Sequence, residues 1–254
     1  SSIAKKFNVP SMIIGLTIVA MGTSAPEAAV SVTSSLAGQN DMSVANVVGS
    51  NFFNVLVVLG VSSIIAKLPV QEETIKKDTP FLILVSILLL VFGINLKLGR
   101  IEGLALLGLF TYFLVNTIKS AKKATEDDSL ETGETAIAIE TQTSSEISLP
   151  KTILVSIIGI VGIVLGGDMV VNSATSIATS LGMSANLVGL TIVAVGTSLP
   201  EFVTSIVAIK KGETEIAIGN VIGSNLFNIL LVLGLAAVIN PISMSMLAFI
   251  DIIF

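Results

Sequence analysis

Two glutamates stand deep in apolar sequence, each inside the same short pattern: Glu27 in GTSAPE and Glu201 in GTSLPE. A carboxylate in hydrocarbon costs roughly 2.5–3.5 kcal/mol on insertion scales, and intramembrane acids are functional by default. One in each of two like contexts points to a paired cation site. Pro26 has no N–H, so the carbonyl of Gly22 loses its helical donor and the turn opens. Such a break is tolerated in lipid only where protein, water or an ion satisfies the freed oxygen. The motif therefore gathers backbone oxygen, the Thr23 and Ser24 hydroxyls and the Glu27 carboxylate within about one turn, with Thr23 and Glu27 sharing a face at i, i+4. Thr197, Ser198, Pro200 and Glu201 repeat the set. The following segments read GSNFFN and GSNLFN. There Ser50 with Asn54, and Ser224 with Asn228, stand at i, i+4 and can aim a hydroxyl and an amide oxygen at one point. Asn46, Asn51, Asn220 and Asn225 also recur, and bonding across helices is the alternative use for them. The chain has no His and no Cys. The donor set is therefore all oxygen, which suits hard cations such as Ca²⁺ and Na⁺. Two negative charges balance one Ca²⁺ or two Na⁺.

These motifs belong to one duplicated stretch. Residues 13–60 and 187–234 align without a gap at an offset of 174, with 24 of 48 positions identical. The chain is 52% hydrophobic and 12% charged, and its charges cluster between apolar runs of membrane-crossing length. Those runs are too continuous for barrel strands, so the fold class is an all-α polytopic membrane protein. Spans are expected at about 11–37, 44–66, 80–96, 101–119, 151–180, 185–209 and 216–239, with a further one starting near 242. Residues 120–150 carry seven acids among Thr and Ser and read as a flexible acidic linker. Its alternative is a calcium-sensing segment.

At the repeat offset, residues 1–6 fall on 175–180, and 242–254 fall on 68–80. The expected intact plan is five spans, a linker and five spans. Residues 1–119 would form a first repeat lacking most of helix 1. Residues 151–254 would form a second, lacking most of helix 9 and all of helix 10. An odd number of spans per unit inverts the second unit. Alternating the loops puts eleven of the thirteen Lys and Arg residues on one face, leaving Lys97 and Arg100 on the other. That bias makes the linker cytoplasmic. Inverted repeats with broken helices are a common transporter plan, with the site near mid-membrane. Asp168, in GGDMVVNS, is expected near the outer interface in a capping or interfacial role, with pathway lining as the alternative.

The two GTS-x-PE motifs, each followed by GSN-x-FN, resemble the α-repeats of the cation/calcium exchanger superfamily, especially prokaryotic sodium/calcium exchangers. The resemblance covers nearly the whole chain. It implies ten helices in two inverted halves, electrogenic antiport of Na⁺ against Ca²⁺, and a prokaryotic plasma membrane. It implies Glu27 and Glu201 as central ligands. Thr23, Ser24, Ser50, Asn54, Thr197, Ser198, Ser224, Asn228 and the backbone oxygens of Ala20 and Ala194 would complete the sites. Some relatives, including potassium-dependent exchangers, carry Asp where Asn228 stands here, which weighs against potassium cotransport. Ca²⁺ and Na⁺ are cargo. No catalytic residue, resident cofactor, nucleic acid or protein partner is expected beyond the lipid bilayer. Three rivals stay open: a proton-coupled exchanger of the same superfamily, a cation channel with the glutamates as selectivity element, and a membrane enzyme using two carboxylates.

Overall fold

The computed structural model describes residues 10–131 and 185–253, with scattered positions between 154 and 183. Asp168 and most of the span expected at 151–180 lie outside the described residues. The helices are α1 (Ser11–Thr23), α2 (Ala25–Leu36), α3 (Met42–Ile65), α4 (Thr79–Gly93) and α5 (Arg100–Glu131), then α6 (Thr191–Thr197), α7 (Leu199–Lys210), α8 (Thr214–Ile239) and α9 (Met246–Ile253). By length and composition α3, α5 and α8 can each cross a membrane, and the bent pairs α1–α2 and α6–α7 pass as units. The all-α expectation has one exception among the described residues. Lys97–Leu98 and Ile242–Ser243 form a two-residue antiparallel ladder, β1 and β2, so the helix expected from 242 begins at Met246.

The expected boundary at 119 is also moved. Helix α5 continues to Glu131. The stretch SAKKATEDDSLE is polar, but Ala, Lys, Glu and Leu are strong helix formers, and a growing helix needs only one further bond per residue. Polarity did not end the helix.

The distribution of polarity is inside-out. Ile64 is 85% exposed, Ile101 81% and Leu56 71%, while Glu27, Glu201, Asn54 and Asn228 are all fully buried. An apolar exterior around a polar interior suits a hydrocarbon solvent. Within each half, α2 packs on α3 and α7 on α8. Between halves, α1 lies along α8 and α6 along α3. Helix α8 is the most enclosed, with every residue from Ile216 to Leu230 buried.

The α1–α8 contact is made by glycines. A Cβ on Gly15 would lie 2.6 Å from the Ile216 carbonyl oxygen, one on Gly219 2.6 Å from that of Met12, and one on Gly223 2.6 Å from that of Leu16. Backbone against backbone is the geometry that small residues permit between membrane helices.

Candidate functional site

Each GTS-x-PE motif makes a bend. Helices α1 and α2 meet at 45°, and α6 and α7 at 43°. The hinge residues are Ser24 (φ −83°, ψ 7°) and Ser198 (φ −83°, ψ 3°). Pro26 and Pro200 sit in the first turn beyond the bend, where a missing N–H costs nothing. Glu27 and Glu201 lie in that same first turn, at the positive end of the helix dipole. A wide π-helical turn precedes each motif, at Gly15–Val19 and Gly189–Val193. Another opens at the end of each GSN-x-FN segment, at Phe53–Leu59 and Asn228–Leu233. Such turns occur frequently at functional sites.

The two copies hold each other's carboxylates. Ser24 Oγ donates to Glu201 Oε1 at 3.0 Å, and Ser198 Oγ donates to Glu27 Oε1 at 3.1 Å. Ser224 Oγ also donates to Glu201 Oε1, at 3.2 Å. Ser50, its counterpart, lies 3.3 Å from Thr197 Oγ1 and 3.4 Å from the Ala194 carbonyl. The symmetry is thus imperfect: Glu201 has two hydroxyl partners where Glu27 has one. The Ala20 and Ala194 carbonyls stand at the bends, accepting from the amides of Ser24 and Ser198. Thr23 and Thr197 reach across to Asn220 Oδ1 and Asn46 Oδ1, at 3.1 and 3.2 Å.

Sequence spacing left the role of the other asparagines open, and the structure has them bonding across helices. Asn46 Nδ2 donates to Ser31 Oγ at 2.9 Å and to the Glu27 carbonyl at 3.4 Å. Asn220 Nδ2 donates to Ser205 Oγ at 3.1 Å and to the Glu201 carbonyl at 3.2 Å. Asn54 Nδ2 donates to Asn225 Oδ1 at 3.1 Å, and Asn228 Nδ2 to Asn51 Oδ1 at 3.0 Å. Ser31 and Ser205 escaped the motif reading. Their signal was available: both are Ser at the repeat offset, four residues past the glutamates.

Among the described residues eight buried side-chain oxygens have no hydrogen-bond partner, and four of them belong to the repeated motifs: Glu27 Oε2, Glu201 Oε2, Asn54 Oδ1 and Asn228 Oδ1. Buried polar atoms are ordinarily satisfied, so four orphan acceptors of one symmetry-related set call for a ligand. Among the described residues no Lys or Arg is paired with either glutamate, and the ion pairs are Lys76–Glu72 and Lys77–Glu73, both exposed. Two carboxylate and two amide oxygens, all acceptors, are of the type that a hard cation takes.

A cavity of about 420 Å³ lies elsewhere, lined by Pro10, Ile13, Asp78, Phe81, Tyr112 and Asn116 among others, and it includes none of the glutamate-site residues. Its Asp78 sits just ahead of α4, beside Lys76 and Lys77. Burial, and then the Glu73 charge, push this carboxyl from 3.8 up to about 6. The folded protein therefore binds that proton more tightly than the unfolded chain. The resulting stability is present below pH 3.8 and is lost as pH rises through 6. Asp78→Asn is expected to raise the melting temperature at about pH 7.5, with the gain shrinking towards pH 4. An equal gain at both pH values would contradict this.

Comparison with known proteins follows the same outline. The family described as sodium/calcium exchanger protein matches residues 1–119 and 151–252. The putative antiporter CaxA of Alkalimonas amylolytica is 43% identical over 95% of this chain and 74% of its own length. The sodium/calcium exchanger MaX1 of Methanosarcina acetivorans is 31% identical over 96% of this chain and 78% of its own. The solved structure of the sodium-calcium exchanger NCX_Mj soaked with 2.5 mM Na⁺ and 0.1 mM Ca²⁺ superimposes with a TM-score of 0.78. It is 31% identical, covering 99% of this chain and 78% of that one.

Proposed function

Since this chain belongs to the sodium/calcium exchanger family, we propose that it is a secondary antiporter that exchanges Na⁺ for Ca²⁺ at the site around Glu27 and Glu201. The observation that carries this reading is the set of four orphan oxygens, two of them carboxylate, fully buried between the halves. Ca²⁺ and Na⁺ compete for those oxygens, helped by the hydroxyls of Thr23, Ser24, Ser50, Thr197, Ser198 and Ser224 and the carbonyls of Ala20 and Ala194. Both ions are hard and oxygen-seeking, and a charge of two satisfies the carboxylate pair in either form. The bends at Ser24 and Ser198 supply the broken helices from which transporter ion sites are typically formed. The protein is multi-pass, and the proposed placement is the prokaryotic plasma membrane with residues 120–150 in the cytoplasm, following the Lys and Arg bias.

The deciding experiment imposes Na⁺, K⁺ and H⁺ gradients separately on proteoliposomes loaded for ⁴⁵Ca²⁺ uptake. Uptake driven by the Na⁺ gradient alone is the expected outcome. Uptake driven by a pH gradient without Na⁺ would transfer the assignment to a proton-coupled exchanger. Single-channel currents would transfer it to a channel.

A further inference from the structure

We propose that Asn51 and Asn225 are positioning residues that fix which way the Asn54 and Asn228 amides face. This rests on the ion-binding reading above and names what orients two of its oxygens. A carboxamide is nearly symmetric in shape, with oxygen on one arm and NH₂ on the other. If it turned over, a donor would replace the acceptor that faces the cation. Something must hold each amide the right way round.

The partner is in the opposite repeat each time. Asn225 Oδ1 accepts from Asn54 Nδ2, and Asn51 Oδ1 accepts from Asn228 Nδ2. Asn225 Nδ2 donates in turn to the Asn51 carbonyl at 3.4 Å, closing a short ladder between α3 and α8. Asn54 and Asn228 are fully buried and Asn225 is 3% exposed, so little water competes for the Asn54–Asn225 bond, while Asn51 is half-buried. With each NH₂ engaged, Oδ1 of Asn54 and Oδ1 of Asn228 are the atoms left unpartnered. The Oδ1 atoms of Asn51 and Asn225 already accept a hydrogen bond and are not among the unpartnered oxygens. These two residues therefore act through their neighbours rather than on the ion.

A pair of backgrounds separates this role from simple helix adhesion. Asn225→Ala removes the acceptor, and is expected to raise the half-saturating Ca²⁺ concentration about tenfold. In an Asn54→Asp background both arms at position 54 are oxygen, so turning over has no consequence. There Asn225→Ala is expected to shift half-saturation by less than about twofold relative to Asn54→Asp alone. Half-saturation is read rather than maximal rate, because misfolded molecules lower the rate without moving it. Asn51→Ala with and without Asn228→Asp repeats the test from the other repeat, should Asn225→Ala fail to fold. Equal shifts in both backgrounds, or no shift in the first, would overturn the positioning role. Loss of all Glu27 dependence would instead remove the ion-site reading itself.

Discussion

Glu27→Gln is expected to cut Na⁺-driven ⁴⁵Ca²⁺ uptake by at least about a hundredfold. The substitution keeps the shape and leaves Ser198 an oxygen to donate to. It removes one of two charges, and it lets an NH₂ group stand where Oε2 is now unpartnered. A unit charge about 4 Å from a monovalent ion is worth roughly 4 kcal/mol at an effective dielectric of 20, and more for a divalent one. A hundredfold loss needs only about 2.7 kcal/mol, so the expected loss is a conservative floor. Glu201→Gln should behave alike, because a divalent cation uses both charges. Thermal melting gives a second readout. Without Ca²⁺ or Na⁺ the variant should melt higher than the parent, since one of two unpaired buried carboxylates is gone. With Ca²⁺ at a hundred times its dissociation constant the parent gains about 2.7 kcal/mol, and the variant should lose most of that gain. Undiminished uptake, with the Ca²⁺-induced shift intact, would count decisively against the site.

Gly223→Ala should destabilise the protein by about 1–3 kcal/mol and lower transport with it. The new methyl would lie 2.6 Å from the Leu16 carbonyl oxygen and 2.7 Å from Ala20 Cβ. Neither neighbour is the end of a flexible side chain, so α1 must move away from α8. Helix α1 ends at Thr23, and the adjoining hinge Ser24 donates to Glu201 on α7. Structural and functional losses should therefore travel together. Gly60→Ala and Gly108→Ala are the controls, since a Cβ at either position meets nothing within 4 Å. Both should melt close to the parent. A Gly223→Ala protein with unchanged melting and transport would show that the helices are free to separate.

The carboxylates were legible because hydrocarbon makes an acid conspicuous, and the duplication made it conspicuous twice. Proline in the fourth position beyond Gly22 announced the bend for the same kind of reason: a missing N–H is written in the residue itself. The end of α5 was not legible, because polarity and helix propensity point in different directions over 120–131. The β1–β2 ladder was equally hidden. Two residues carry no periodicity, and their pairing spans about 145 positions of chain.

Taken alone, the sequence determined the all-α membrane class, the two broken motifs and a side-chain inventory without His or Cys. The first two follow from apolar runs long enough to cross a bilayer and from residue types within one turn of helix. Only the tertiary structure decided who holds whom. It sets Ser24 on Glu201 and Ser198 on Glu27, and Asn225 on Asn54 and Asn51 on Asn228. A hydroxyl or an amide bonds whichever partner lies about 3 Å away. Which one that is depends on how the helices of one repeat lie against those of the other, and no spacing within a single copy contains that.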